Sequence, residues 1–502
     1  MATVVSRLLG LVREQVFSHF FGAAAAVDSF YAAFRIPNLL REFFAEGALS
    51  AAYVPVFSQR LKDRGKEQAF LLTSTVLSVL LVILGVVTVL GIIVAPYLVR
   101  VIAAGFSDMP GQLQLTTALS RIMFPFLIFV AAAAAVMGTL NCFGKFGLPA
   151  LAPAGFNIGL IAAGLFLRDY FDPPIMAMAW GALGGGVLQL AIQLPQLYGI
   201  GYRFKFVFSL ADSAVRQITR LMGPAAVGVA AAQVNIIVGT LLASFLETGS
   251  IAYLNYAFRL MHFPLGVFGV AVATVSLAEL SSHAAGGESD TVLRKFIRSS
   301  RIQLVFLLPS AIFLIVAARP ICALIYQHGK FGWGDTVNAA AALQAYSAGL
   351  IFFGLVRLSA QVFYAHKDTA TPVKISAVAV AVNVILSLLL MGPLKFVGLA
   401  LAPGIAAVVN LLLLSYSIVR KIGLPDYRAL ARSFVGVALA SLAGGSVTFL
   451  ILSHFQAYVQ YAGVFPTMFR LVLGLGAGLG AFAIVALPLG VFRKVTKIQG
   501  RS

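Results

Sequence analysis

An all-α membrane protein that crosses the bilayer many times is the fold class that this sequence predicts. Of its 502 residues, 60% are hydrophobic and only 11% are charged, whereas soluble domains contain about 25% charged residues. The mean hydropathy is +0.96, and apolar windows of roughly twenty residues, long enough for a helix to cross a bilayer, recur along the chain. Because these windows are continuous rather than alternating, an outer-membrane β-barrel is excluded.

Apolar periodicity, interrupted by glycine, proline and charged turns, predicts fourteen transmembrane helices. The predicted spans are 2–21, 28–57, 70–98, 113–141, 150–167, 175–198, 221–246, 250–280, 302–318, 336–364, 372–392, 396–418, 433–452 and 467–491. They predict two parallel six-helix lobes followed by two C-terminal helices. The corresponding domains are residues 1–200, residues 201–425, and residues 426–502 with a cytoplasmic tail.

Internal similarity supports the division into two lobes. Tyr31–Arg35 resembles Asn255–Arg259, and Leu140–Lys145 resembles Phe363–Asp368, at offsets of 224 and 223 residues. These nearly equal offsets predict an ancestral duplication. Since each repeat holds an even number of spans, both halves have the same orientation, as in transporters that bind substrate between parallel repeats and rock them for alternating access.

Lysine and arginine in the loops predict the orientation of the chain. With the N-terminus in the cytoplasm, the cytoplasmic segments contain 23 of the 36 basic residues, and the opposite segments contain five. Because basic loops stay in the cytoplasm, this asymmetry predicts that both termini lie inside. It also accounts for the net charge of +19 without a nucleic-acid partner. The N-terminus has no basic region followed by a cleavage site, so no removable signal peptide is expected.

Charged residues inside the first two predicted spans are the strongest indication of function. The stretch 6–58 contains Arg7, Arg13, Asp28, Arg35, Arg41, Glu42 and Glu46. A charge in a bilayer costs a few kcal/mol and therefore faces a partner or a water-filled cavity. At ~1.5 Å per residue, Arg13 lies about 12 Å, Arg259 about 14 Å and Arg41 about 20 Å from the outer ends of their spans. This shared depth predicts one polar cavity.

The residue types in this cavity favour an anionic substrate. Arginine stays charged and binds phosphate through two hydrogen bonds, so phosphate or diphosphate is the best geometric match. Proline follows arginine in both halves, at Pro37 and Pro264, and helix breaks of this kind are tolerated where they line a cavity. Two alternatives remain open. The arginines could pair structurally, Arg13 with Asp28 and Arg41 with Glu46, and His262 could be a packing residue rather than a titrating one.

Catalytic motifs are absent from the sequence. It has no GxSxG, no Walker A loop and no HExxH, so we expect no enzymatic activity, no cofactor and no metal site. Without a nucleotide site, transport would be secondary and driven by a gradient or by the membrane potential.

Four motifs together resemble the MurJ/MviN family of lipid II flippases. They are SRLLGLVRE from Ser6, DSFYAAFRIPNLLR from Asp28, FAEGALSAAYVP from Phe44 and AFRLMHFPLGVFGVA from Ala257. The family belongs to the multidrug/oligosaccharidyl-lipid/polysaccharide exporter superfamily. The resemblance implies export of lipid II, the undecaprenyl-diphosphate disaccharide pentapeptide, across the bacterial inner membrane. It implies a cationic cavity between two lobes, a groove for the lipid tail in the last two spans, and membrane lipids and the cell-wall synthesis machinery as partners.

The family's cavity residues can be carried over onto matching positions. The resemblance implies that five residues bind substrate: Arg7, Arg13, Asp28, Arg41 and Arg259. The arginines would hold the diphosphate, and Asp28 would gate the cavity or pair with them. Four more residues would support the site: Arg35, Asn38, Glu46 and His262. The chain departs from the family at Phe258 and His262, where acidic residues are common, so its cavity is expected to be more basic.

Three alternatives lie beside this interpretation. The chain could flip another polyprenyl-diphosphate glycan, or it could be a related multidrug exporter, although an exporter of cations should have acids rather than arginines in its cavity. It could also be a membrane scaffold that does not transport, which predicts arginines with structural partners and no cavity.

Overall fold

Helices are the regular secondary structure of the described part of the protein. The computed structural model describes the backbone of residues 2–43, 48–454 and 463–491; within these ranges the side chains of residues 2–4, 7, 48, 50, 51 and 224–232 are not described. Helices account for 86% of the structure, and none of the described residues forms a strand. The predicted all-α polytopic class is therefore confirmed.

The chain divides into two compact units, of which unit 1 comprises Met1–Ala252 and His328–Phe331. Its helices are α1 (Ala2–Phe21), α2 (Ala25–Arg41), α3 (Ala48–Ile102), α4 (Gln112–Met123), α5 (Phe126–Cys142), α6 (Gly147–Ala162), α7 (Met176–Ala191), α8 (Leu194–Gly199) and α9 (Ser213–Ser244). Helices α3 and α5 contribute much of its buried core. The Tyr53 hydroxyl lies fully buried there, 2.8 Å from the Thr73 hydroxyl and 2.7 Å from that of Thr139, so this polar group is satisfied inside an apolar core.

Unit 2 comprises Tyr253–Gln327 and Gly332–Ser502. Its helices are α10 (Ser250–Pro264), whose first three residues belong to unit 1, α11 (Val270–Ala285), α12 (Ser289–Val316), α13 (Ala318–Tyr326), α14 (Trp333–Ala348), α15 (Leu350–Ala365), α16 (Ala370–Lys421), α17 (Tyr427–His454) and α18 (Val464–Ala486). A π-helical turn, Leu265–Gly269, joins α10 to α11. The predicted three-domain division at residues 200 and 425 stays a prediction.

Apolar surface shows that many of these helices cross a membrane. Among the described residues, ten helices are long and apolar enough to do so. In the most apolar part of α16 only 17% of the residues are buried, and large hydrophobic side chains such as Leu388 and Leu389 are exposed. Surfaces of this size and polarity are stable against lipid chains rather than water. The chain is therefore a multi-pass membrane protein.

The predicted number of fourteen spans stays a prediction, and the helix boundaries agree with the apolar runs only in part. Helix α16 contains the two predicted spans 372–392 and 396–418, which are separated by a turn at Lys395 with a φ of 50°. The predicted span 28–57 contains α2 and the first turns of α3, and residues 44–47 between them lie outside the described residues. Pro37 does not end α2, which continues to Arg41.

Small residues allow the last two helices to pack closely. A Cβ atom on Gly478 of α18 would lie 2.0 Å from the Thr448 hydroxyl oxygen of α17, and one on Gly444 would lie 2.6 Å from the Gly478 carbonyl oxygen. The Thr448 hydroxyl donates a hydrogen bond to the Gly474 carbonyl at 3.0 Å. The glycine-rich segment 471–480 therefore serves helix packing. A lipid-tail groove at these helices stays a prediction.

The two units share a turn at the end of equivalent helices. In unit 1 the Lys145 N–H donates to the Leu140 carbonyl, and Gly144 has a φ of 69°; in unit 2 the Asp368 N–H donates to the Phe363 carbonyl, and Lys367 has a φ of 60°. Both are six-residue helix ends closed by a left-handed residue. The same backbone pattern at the repeat offset supports the predicted duplication.

This turn yields a matched pair of substitutions with opposite effects. Lys367→Gly is expected to raise the free energy of unfolding by about 0.5–1 kcal/mol, because glycine adopts the left-handed conformation without steric cost. Gly144→Lys is expected to lower it by about 1 kcal/mol, although a Cβ atom there meets no atom within 4 Å. Thermal unfolding of the purified variants in detergent measures both effects. Shifts of the unfolding midpoint in the same direction would contradict the left-handed conformation at these two positions.

Candidate functional site

Helix α2 presents a polar stripe in an otherwise apolar segment. The stripe is defined here as Asp28, Tyr31, Arg35, Asn38 and Glu42. Positions three or four apart lie on one face of a helix, so these residues follow one line along α2 and its C-terminal end. In unit 1, residues of this line contact α1, α9 and the start of α10.

Arg13 of α1 is held by a buried cluster at the middle of the stripe. Its Nε and Nη2 donate to one carboxylate oxygen of Glu14, at 3.0 and 2.6 Å, and its Nη1 donates to Asn157 Oδ1 of α6 at 2.9 Å. Its guanidinium carbon also lies 5.8 Å from the centre of the Phe156 ring. Arg13 is 7% exposed and Glu14 is 1% exposed, so both charges are removed from solvent.

Two further hydrogen bonds fix this cluster. The Tyr31 hydroxyl of the stripe donates to the second carboxylate oxygen of Glu14 at 3.0 Å, and the Asn157 amide donates to the Ser6 carbonyl at 3.1 Å. Each partner of Arg13 is thus oriented by another group, and the cluster joins α1, α2 and α6. Buried charges require this degree of pairing and hydrogen bonding.

Arg41 lies in a second cluster at the end of the stripe. Its Nε donates to Asn38 Oδ1 at 2.9 Å, and the Asn38 amide lies 3.4 Å from the Glu42 carboxylate. Gln233 of α9 also donates to Glu42. Arg41 is half-buried. Asn38 therefore links Arg41 to Glu42, whereas Arg13 contacts Glu14 directly. The predicted pairing of Arg41 with Glu46 falls on a residue outside the described ones.

Asp28, at the start of the stripe, caps a helix. Its two carboxylate oxygens accept hydrogen bonds from the N–H groups of Gly249, at 2.6 Å, and Ala252, at 2.8 Å. Asp28 is 3% exposed, and all three residues belong to unit 1. These N–H groups are the free donors at the start of α10, where a carboxylate is stabilised by hydrogen bonding and by the helix dipole. Pairing of Asp28 with an arginine stays a prediction.

In unit 2, Arg259 and His262 follow each other by three residues on α10. Both side chains are exposed. The His262 ring lies 3.8 Å from the Phe258 ring, centre to centre, and its Nδ1 lies 3.2 Å from the Phe258 carbonyl oxygen. An arginine exposed on an apolar membrane helix faces a cavity or a partner rather than lipid chains. The prediction of a binding role for Arg259 is compatible with this position.

The remaining candidates are Arg35, Arg7 and Glu46. Arg35 lies half-buried in the stripe, between Tyr31 and Asn38. The backbone of Arg7 belongs to α1, but its side chain is not described, and Glu46 lies outside the described residues.

Glu14 is the residue that the sequence analysis missed. It satisfies the criterion that selected Arg13, since it is a charge inside the first predicted span. With Glu14 included, the stretch 6–58 contains four arginines and four acids. The charges of this stretch therefore balance, and any excess of cations must involve Arg259 or other residues.

Metal-binding clusters of three or more His, Cys, Asp or Glu side chains do not occur in the part of the chain that the structure describes. The chemistry that the two clusters offer is therefore charge and hydrogen bonding, through arginines held at fixed positions inside apolar helices.

Comparison with known proteins gives nearly full-length matches. Residues 17–469 match a family model described as lipid II flippase MurJ. A probable lipid II flippase MurJ of Haemophilus influenzae is 37% identical over 473 residues, covering 91% of this chain and 92% of that protein. A lipid II flippase MurJ of Burkholderia cenocepacia is 35% identical over 450 residues, covering 88% and 87%.

Solved structures give the same result. A lipid II flippase MurJ in an inward closed conformation superposes with a TM-score of 0.80 at 27% identity, covering 97% of this chain and 98% of that one. A multidrug resistance MATE family transporter in an inward-facing conformation has a TM-score of 0.68 at 15% identity, covering 83% and 95%. The second likeness shows a shared fold only.

Proposed function

Because this chain belongs to the MurJ family of lipid II flippases, we propose that it moves lipid II from the cytoplasmic to the periplasmic leaflet of the bacterial inner membrane. The observation that carries the proposal is the near full-length match to relatives of this name at 35–37% identity. The arginines held inside apolar helices supply the chemistry that a diphosphate-linked substrate requires.

In the proposed mechanism, arginines of α1, α2 and α10 bind the diphosphate during alternating access. Arg13 donates to the Glu14 carboxylate and to Asn157, whereas Arg41 donates to Asn38, whose amide lies 3.4 Å from Glu42. A carboxylate and a phosphate oxygen are both anionic acceptors for guanidinium, so a substrate phosphate would compete with Glu14 for Arg13. Glu14 compensates the charge of Arg13 and orients its guanidinium while no substrate is bound.

The proposed orientation places both termini in the cytoplasm, as the asymmetry of basic residues in the loops indicates. Transport in this direction carries an anionic headgroup outward without nucleotide hydrolysis. We place the chain among transporters rather than enzymes, and name lipid II as the partner. The cell-wall synthesis machinery as a further partner stays a prediction.

Complementation of a strain depleted of its own lipid II flippase tests this function. The wild-type chain is expected to restore growth, whereas Arg259→Ala and Arg41→Ala are expected to fail, because each removes a permanent cation from the proposed diphosphate site. Arg100→Ala is the matched control, since Arg100 is an exposed arginine at the end of α3, and it is expected to restore growth. Immunoblots of membranes confirm that each variant is inserted.

Two outcomes would contradict the proposal. If the wild-type chain is inserted but does not restore growth, lipid II is the wrong substrate, and another polyprenyl-diphosphate glycan becomes the better candidate. If Arg259→Ala and Arg41→Ala restore growth as well as Arg100→Ala does, these arginines do not bind the substrate.

A further inference from the structure

A second site of mixed polarity lies within unit 2, away from the residues discussed above. It is a cavity of about 470 Å³ whose walls include Arg319, Trp333, Gln344, Phe449 and Leu452. The walls come from the end of α12, the start of α13, α14 and the end of α17. Its size lies within the range of small-molecule sites, roughly 300–1,000 Å³.

A helix break opens this cavity. Helix α12 ends at Val316, and the chain turns at Ala317 before α13 begins. The Gln344 side chain of α14 donates to the Ile315 carbonyl at 2.9 Å, which satisfies a carbonyl group next to the break. This bond joins α14 to the end of α12, and residues on both sides of the break, Val316 and Arg319, line the cavity.

The walls combine one cation with apolar surface. Arg319 is exposed, and among the residues that the structure describes its guanidinium has no hydrogen bond or ion pair. No acid is among the lining residues. Trp333, an amphipathic ring typical of the membrane interface, lies in the same wall. Next to the cavity, Phe449 is 51% and Leu450 is 66% exposed on α17, which offers a path for an acyl chain.

We propose that this cavity binds an anionic glycerophospholipid, with its phosphate on Arg319 and the start of its acyl chains against Phe449 and Leu452. In this arrangement the Arg319 guanidinium binds the phosphate and the Trp333 ring contacts the glycerol region. The exposed apolar face of α17 contacts the rest of the acyl chains. Free phosphate would use only Arg319 and would leave the apolar walls unfilled. The site is separate from the proposed lipid II function, and the loop charges predict that it faces the outer leaflet.

Tryptophan fluorescence can report on this site directly, because the chain contains only two tryptophans. In a Trp180→Phe background, Trp333 is the remaining fluorophore, and it lies in the cavity wall. The purified full chain in detergent micelles is titrated with phosphatidylglycerol or phosphatidylcholine carrying brominated acyl chains, which quench nearby tryptophan. We expect saturable quenching with a preference of about tenfold for phosphatidylglycerol, equivalent to 1.4 kcal/mol.

Arg319→Gln in the same background is expected to reduce this preference to about one, as expected when a single charge contact is lost. Arg319→Lys is expected to retain part of the preference, and the matched control Arg100→Gln all of it. Inorganic phosphate is not expected to compete with the lipid. Equal quenching by both lipids, an unchanged preference in Arg319→Gln, or displacement by inorganic phosphate would each overturn the proposal.

Discussion

Glu14→Ala is expected to lower the free energy of unfolding by about 3–5 kcal/mol, because it leaves the Arg13 guanidinium buried without its carboxylate. The Tyr31 hydroxyl loses its acceptor on Glu14 in the same variant. The midpoint of thermal unfolding of the purified protein in detergent is therefore expected to fall, together with the amount of protein in the membrane.

Asp169→Ala is the matched control for this loss. Asp169 also neighbours its arginine partner in the sequence, and it lies 3.1 Å from Arg168, but its side chain is 77% exposed. Because exposed ion pairs contribute at most about 1 kcal/mol, its unfolding midpoint is expected to stay near that of the wild type. Equal shifts for Glu14→Ala and Asp169→Ala would show that the Arg13 cluster is not buried in the folded protein.

The double variant Arg13→Gln/Glu14→Gln is expected to fold and to lose lipid II export. Both charges are removed together, so no uncompensated ion stays buried. The two amides can still donate to Asn157 and accept from Tyr31, which replaces the hydrogen bonds of the ion pair. Stability is expected to stay within about 1.5 kcal/mol of the wild type, whereas growth of the flippase-depleted strain is not restored.

The double variant Arg60→Gln/Asp212→Asn makes the same change at a pair outside the proposed site. Arg60 lies 3.3 Å from Asp212, with side chains 12% and 22% exposed, and this control is expected to support growth. If Arg13→Gln/Glu14→Gln also supports growth, the charge of Arg13 is structural, as the scaffold alternative predicted.

The fold class followed from composition, because only a membrane accommodates apolar surface of this extent. The helix ends followed from the sequence only in part. The break inside α16 falls at Lys395, between the predicted spans 372–392 and 396–418, where Gly392 and Pro393 interrupt the apolar run. The positive φ at a lysine did not follow, since the left-handed region is favourable for glycine.

The candidate site was predictable in part from the sequence. Arg13 and Arg41 stand out because charge inside apolar spans is rare. The groups that contact the candidate residues do not stand out in the sequence. Asn157 lies 144 residues from Arg13, and the backbone donors to Asp28 lie 221 and 224 residues from it. Contacts at such separations depend on how the helices pack. Glu14 could have been recognised, because it obeys the rule that identified its neighbour.

Glu14 changes the charge balance of the proposed site. A stretch with four arginines and four acids does not hold a standing excess of positive charge. In the proposed mechanism, Arg13 is oriented by the Glu14 carboxylate, and a substrate phosphate must compete with that carboxylate for it. This arrangement lowers the cost of keeping guanidinium groups inside apolar helices while no substrate is bound.

Lipid II translocation in reconstituted vesicles tests the central claim most directly. Vesicles containing fluorescent lipid II and the purified wild-type chain are assayed for lipid II transfer between leaflets, with and without a membrane potential. We expect transfer by the wild type and by Arg60→Gln/Asp212→Asn, and none above protein-free vesicles by Arg13→Gln/Glu14→Gln. Absence of transfer by the wild type under both conditions, or equal transfer by all three proteins, would contradict the claim that this chain moves lipid II by means of the Arg13 charge.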